Sequence, residues 1–249
     1  MRYTANILGV GWVDPSSMGR PGHLHKFETP EEMFRLSGKF VLNTPYKPFG
    51  RMDQFAKLGF SAIAFAMTDA GISPVESGKS GQSLKRSLAV IAESTTGCLE
   101  TDLSYQAAIS GPGPYVPSPA LFAYTLPSCF LGEAAIYYGL KGEAYMVEKQ
   151  KSTGLTALSF AMDNLYINGC EAAVCGTCNS GPGTSIGKTG LTPGAIFLVI
   201  GPGNLPMPST KGVTPSILTR TQQTNTRDRF YLGDNEITDL TCLVEKDVI

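Results

Sequence analysis

At 249 residues, with 42% apolar and 16% charged side chains, the chain is long enough for one large α/β domain or a domain with an appended tail. Its 20 basic and 21 acidic residues are scattered, for a formal net charge of −1, so no basic stripe points to nucleic acid. The longest apolar run, AIFLVI from Ala195 to Ile200, is far short of the ~18 residues needed to span a bilayer, and MRYTANILGVGW lacks a secretion signal's long apolar run and cleavage site, which makes the cytoplasm the expected location.

TANILGVGWV, residues 4–13, reads as a first strand, and residues 14–50 read as irregular, with Pro15, Pro21, Pro30, Pro45 and Pro48. A helix is predicted in 51–71, where Phe55, Leu58, Ala62, Phe65 and Ala66 recur at helical spacing and Gly71 stops the run. SLAVIAES, Ser87 to Ser94, is a buried-strand pattern, and a helical piece follows in 98–110. Pro112, Pro114 and Pro117 break the chain; Pro119 suits a helix start, and 129–140 reads as a helix closing at Gly139.

Next comes AYMVEKQKSTGLTALSFAMDN, residues 144–164. A short strand from Ala144 to Val147 runs into a polar turn, and a helix starts at Thr153 or Gly154 and runs to Asn168. Leu155, Leu158, Met162 and Leu165 form its apolar stripe, and Ala157 and Ala161 allow close packing. Such a corner lifts one side chain clear beside helix amides that stabilise negative charge. It is where an α/β enzyme keeps a nucleophile, yet the turn offers Glu148, Lys149, Gln150, Lys151 and Ser152. Two more buried strands follow, CEAAVCG and GAIFLVIG.

Alternating strands and helices, with continuously apolar strands, predict a layered α-β-α fold around a mixed, mostly parallel sheet buried on both faces. From Gly201 the composition turns to Pro, Ser and Thr, so the expected division is a domain over 1–203 and an irregular extension over 204–249 packing on it. A late hairpin is expected from RFYLG and TDLTCLVEK. The striped helix is expected to be covered by this tail, with Ile217, Leu218, Phe230 and Tyr231 as its apolar contacts, or by a partner subunit, the tail covering at least part of it.

Two motifs invite metal or nucleotide chemistry and fail on spacing. Cys175 and Cys178 form a CxxC, but no second ligand pair accompanies it and neither His23 nor His25 supplies one. The six cysteines are therefore expected as reduced, partly buried thiols, with no metal. CNSGPGTSIGKTG resembles a phosphate loop, but counting back from Gly187-Lys188-Thr189 puts Pro182 where the first glycine is required. A connecting loop is expected there, and no cofactor.

The order of elements resembles the N-terminal half of the β-ketoacyl synthase family, within the thiolase-like fold. FGRMDQFAKLGFSAIAFAMTDAGI is similar to that family's first long helix, and the run from SPALFAYTLP to CEAAVCG to its dimer-face helix, nucleophile strand, nucleophile helix and next strand. LTPGAIFLVIG is similar to the GEGAGVLVLE segment that closes the half. Laying the family's DTACSSSLVAL on EKQKSTGLTAL places its nucleophilic cysteine on Lys151. A lysine cannot carry an acyl thioester. The family's two active-site histidines lie in the C-terminal half, whereas His23 and His25 sit near the start of this chain.

The resemblance therefore implies a non-catalytic subunit in polyketide or fatty-acid-type chain synthesis, similar to the chain-length factors that pair with a competent ketosynthase. Gln150 lies one position from where those subunits carry glutamine. The expected partners are an active ketosynthase subunit, a second copy of this chain, and an acyl carrier protein. The low charge density also favours a buried interface. The expected interface is the strand Ala144, Tyr145, Met146, Val147 and Glu148, pairing with its counterpart across a two-fold axis. The alternative is an independent acyltransferase or thioester hydrolase using Ser152, against which a helix-capping role for that hydroxyl is the plainer expectation. The coherent Pro/Thr-rich tail argues against a severed piece.

Overall fold

The computed structural model describes residues 2–75, 87–110, 118–180, 193–203, 217–221 and 228–245. The prolines at 112, 114 and 117 and the segment 181–192, with its phosphate-loop-like spacing, lie outside the described residues, as does the side chain of Ile217.

The chain runs through β1 (Arg2–Val13), β2 (Ser17–Arg20), β3 (His23–Lys26), α1 (Gly38–Val41), α2 (Gln54–Asp69), β4 (Leu88–Ser94) and α3 (Leu99–Ser110). It continues through α4 (Pro119–Ala123), α5 (Cys129–Tyr138), β5 (Ala144–Glu148), α6 (Leu155–Tyr166), β6 (Ala172–Asn179) and β7 (Gly194–Pro202). Last come β8 (Ile217–Thr221), β9 (Arg229–Leu232), β10 (Asn235–Ile237) and α7 (Cys242–Glu245). The residues read as irregular after β1 hold a hairpin, β2 on β3, before two short 3-10 turns and α1.

One mixed sheet organises these strands in the order β10-β9-β8-β1-β7-β6-β4-β5, with β2 and β3 branching from β1. Helices cover both faces, as the three-layer expectation required. The expected parallel majority is corrected: among the described strands only β4–β5 and β4–β6 pair in parallel. β1 enters antiparallel between β7 and β8, because each joins it from the opposite direction.

Strand alternation feeds two cores. On one face α2 and α5 pack Phe55, Leu58, Ala62, Phe130 and Ala134 over Val90, Val174, Phe197 and Val199. On the other, α6 packs Leu158, Ala161, Met162 and Leu165 over Ile91, Ala173, Leu198 and Ile200. β1 changes parity midway: Ala5 and Ile7 face the α6 core, and so does Val10. A bulge between Ile7 and Gly9 causes the switch. Val10 N–H donates to Asp69 Oδ2 at 3.0 Å, so its amide is satisfied from the end of α2.

The tail is woven into this second core. β8 pairs with β1, and Leu218 and Phe230 bury against α6, joined by Leu232, Ile237, Leu240 and Leu243. Tyr231 is half-buried and outside that core. The expected hairpin is corrected in its partner: β9 pairs with β10 across Gly233-Asp234, where Gly233 takes φ +60, while residues 238–245 turn and end in α7.

The CxxC lies inside β6. Residues three apart on a strand face opposite ways, so Cys175 joins the α6 core and Cys178 the α2 core. The two thiols cannot share a ligand or a disulfide.

Candidate functional site

The corner between β5 and α6 is built from four elements. β5 lies parallel on β4, its ladder closing with Lys149 N–H donating to Ser94 O at 2.9 Å. The turn is then fixed to the end of β4, where Ser152 N–H donates to Thr95 Oγ1 at 3.0 Å. Gly154 closes it at φ +78, a left-handed conformation costly for other residues, and a Cβ there would come within 2.5 Å of Leu240 Cδ1. Leu240 N–H donates to Thr153 O at 3.0 Å, so the tail braces the corner from outside.

Glu93 decides what the corner can do. It sits on β4 with 1% of its surface exposed, and its carboxylate reaches the start of α6. Oε1 accepts from Thr153 N–H at 2.9 Å; Oε2 accepts from Thr156 N–H at 2.9 Å and Ala157 N–H at 3.3 Å. A buried carboxylate is tolerated only where donors compensate its lost hydration, and a helix N-terminus supplies both donors and a favourable dipole. These amides are held by a carboxylate of the chain itself.

The expectation that Ser152 caps α6 is corrected accordingly: Gly154 holds the cap position, and Glu93 satisfies the first-turn amides. Ser152 Oγ is instead hydrogen-bonded to Thr177 Oγ1 on β6. Asn179 completes this polar knot, its Nδ2 donating to Thr177 Oγ1 at 3.4 Å and its Oδ1 accepting from Thr95 N–H at 2.9 Å. Among the described residues no imidazole, amine or carboxylate hydrogen-bonds Ser152 Oγ. Lys151 is exposed at the tip of the turn.

A pocket of about 490 Å³ opens in front of the corner, walled by Lys151 and Ser152, the β1–β2 turn, the start of β7 and residues of the tail between Asp239 and Val244. His23 and His25 are not among its walls; both are exposed on β3, with His25 stacked against Phe40. Burial pushes up the thiols of Cys129, Cys175 and Cys178, and pushes Cys98 up to about 12 with help from Asp102. None of these four stands as a thiolate at neutral pH.

β5 is the last strand of the sheet and pairs only with β4 among the described residues. Ala144 and Glu148 are exposed, and Tyr145, Met146 and Val147 are half-buried. Phe122, Leu126 and Ile136, on and beside α4 and α5, are exposed at 60%, 64% and 68%.

Residues 39–188, more than half of the chain, match the family model described as β-ketoacyl synthase, N-terminal domain. No curated protein matches the chain in sequence. Among solved structures, the ishigamide ketosynthase/chain length factor superposes with a TM-score of 0.54 at 16% identity, covering 81% of this chain and 59% of that one. A ketosynthase in complex with its chain length factor from Xenorhabdus doucetiae gives 0.54 at 13% identity, covering 80% and 79%. A type II polyketide synthase acyl-carrier protein in complex with its ketosynthase, bound to the hexaketide, gives 0.51 at 16% identity, covering 82% and 64%. At these identities the likeness is one of fold, the thiolase-like α/β arrangement. The chain spans less than two thirds of the length of the ishigamide and hexaketide-bound structures.

Proposed function

The chain belongs to the β-ketoacyl synthase N-terminal domain family, and from that premise we propose that it is a non-catalytic ketosynthase-like subunit of polyketide or fatty-acid-type chain synthesis. In this reading it pairs with an active ketosynthase, or with a second copy of itself, and completes or shapes the partner's acyl site. An acyl carrier protein delivers the growing chain to the pair, and the work takes place in the cytoplasm. The observation that supports the reading is the corner itself: the residue laid on the family's nucleophilic cysteine is Lys151, and Glu93 accepts from the amides at the start of α6 behind it.

The pairing surface in this proposal is β5, from Ala144 through Tyr145, Met146 and Val147 to Glu148. Its free edge would invite uncontrolled strand addition if left bare. We also propose the division into a domain over 1–203 and an extension over 204–249 that packs on it. The pairing of β8 with β1 and the tail's share of the α6 core support it.

Purification of the tagged protein from its own source is the test. An intact ketosynthase should arrive with it at one-to-one stoichiometry. Recovery of the protein with no ketosynthase, under conditions that preserve known ketosynthase pairs, would remove the partner assignment.

A further inference from the structure

The chain has two histidines, His23 and His25, and both lie exposed on β3, the outer strand of the hairpin that branches from β1. Side chains alternate along a strand, so residues two apart share a face. Two residues of strand rise set them about 6.6 Å apart along the backbone, a span across which two rings can lean onto one ion.

The register of the hairpin places their neighbours. His25 stands opposite Met18 and His23 opposite Arg20, while Leu24 and Lys26 stand opposite Gly19 and Ser17. Leu24 and Lys26 therefore occupy the other face, which keeps the Lys26 ammonium away from the imidazoles. Arg20 shares their face, but its guanidinium lies 3.8 Å from Asp69 and only 16% of its side chain is exposed. It turns inward to the end of α2 where the histidines face water. The His25 ring is held by Phe27, edge-on at 5.7 Å, and by Phe40 of α1, stacked at 6.2 Å. Among the described residues neither imidazole has a hydrogen bond or an ion pair, so their nitrogens are uncommitted.

We propose that His23 and His25 together chelate one divalent first-row transition-metal ion on this hairpin. Imidazole suits nickel, copper and zinc. Among the described residues no third His, Cys, Asp or Glu joins the pair, so water fills the other coordination positions and the ion exchanges freely. A structural site would instead be closed by four protein ligands. The inference goes beyond the partner-subunit reading and stands without it, since it uses no residue of the corner or of β5.

Calorimetric titration of the untagged, partner-free protein with Ni(II) tests the proposal, because no other histidine can contribute. One ion should bind per chain. His23→Ala and His25→Ala should each weaken it by about tenfold or more, since the second ligand of a chelate acts at high effective concentration. His23→Ala combined with Leu24→His keeps two imidazoles but sets them on opposite faces, and should not restore the affinity. All three variants should melt with the unmodified protein, because the replaced side chains are exposed. Three results would overturn the proposal: no saturable uptake at millimolar Ni(II); two ions per chain, with each single variant keeping one at unchanged affinity; or full affinity in the variant carrying both His23→Ala and Leu24→His.

Discussion

Arg220→Ala should lower the melting temperature by about 6–12 °C, corresponding to a loss of about 3 kcal/mol. Arg220 lies on β8 with 3% of its side chain exposed. It holds Asp163 of α6 at 2.6 Å and Asp228 beside β9 at 2.7 Å, and donates to Ser159 O at 3.1 Å. Ser159 Oγ–H in turn donates to Asp228 at 2.6 Å, and the guanidinium lies 5.9 Å from the Tyr3 ring centre. One cation thus ties the tail to the helix behind the corner. Removing one partner of a buried pair costs more than the pair is worth, because the charges left behind lose their compensation. Asp163 and Asp228 keep 37% and 20% of their side-chain surface exposed, so water recovers part of that loss and the cost stays at the lower end. Arg220→Met, which restores apolar volume, should fall between Arg220→Ala and the unmodified protein. A shift below about 2 °C for Arg220→Ala would mean that the apolar contacts of the tail hold it without the ion pairs.

On the proposed pairing through β5, Met146→Pro should yield monomers and leave the fold intact. The β4–β5 ladder shows why. Val90 N–H donates to Glu143 O at 2.7 Å and Lys149 N–H to Ser94 O at 2.9 Å. Residues bonded to a parallel neighbour alternate along a strand, so 145 and 147 also face β4 while the amides of 144, 146 and 148 face outward. Proline at 146 therefore removes a donor from the free edge and none from the sheet, a place where proline is tolerated. Part of the Met146 packing is lost as well, about 1 kcal/mol. Met146→Ala loses the same packing but keeps the amide, so it should stay paired. Light scattering separates the outcomes. A Met146→Pro protein that remains a well-folded dimer would place the interface elsewhere.

Much of this structure was legible in sequence wherever burial is continuous. The stripe of Leu158, Met162 and Leu165 marked α6, the apolar run Ala195 to Ile200 marked β7, and Gly139, at φ +68, ended α5 as a left-handed cap should. The corner itself was also legible, because a strand, a polar turn and a helical stripe follow one another within about two dozen residues. Glu93 was not. In SLAVIAES, read as a buried strand, it drew no separate reading, and only the three-dimensional return of α6 shows which donors surround it. A lone carboxylate inside an otherwise apolar strand was the available signal, since such a charge must find partners. The tail was misread for a different reason. Leu-Gly-Asp-Asn is a two-residue hairpin signal that outranks the apolar run after it, and the pairing of β8 with β1 joins residues more than two hundred positions apart, which no local pattern encodes.

Condensation activity of the partner-free protein is the most direct measurement of the central claim. Supplied with a malonyl-carrier and an acyl thioester, it should form no β-ketoacyl product, because the residue laid on the family's nucleophilic cysteine is Lys151, which cannot carry a thioester. Lys151→Cys should admit alkylation at that position and still form no product, since none of the described residues at the corner can assist decarboxylation. A β-ketoacyl product from the unmodified, partner-free protein would contradict the account.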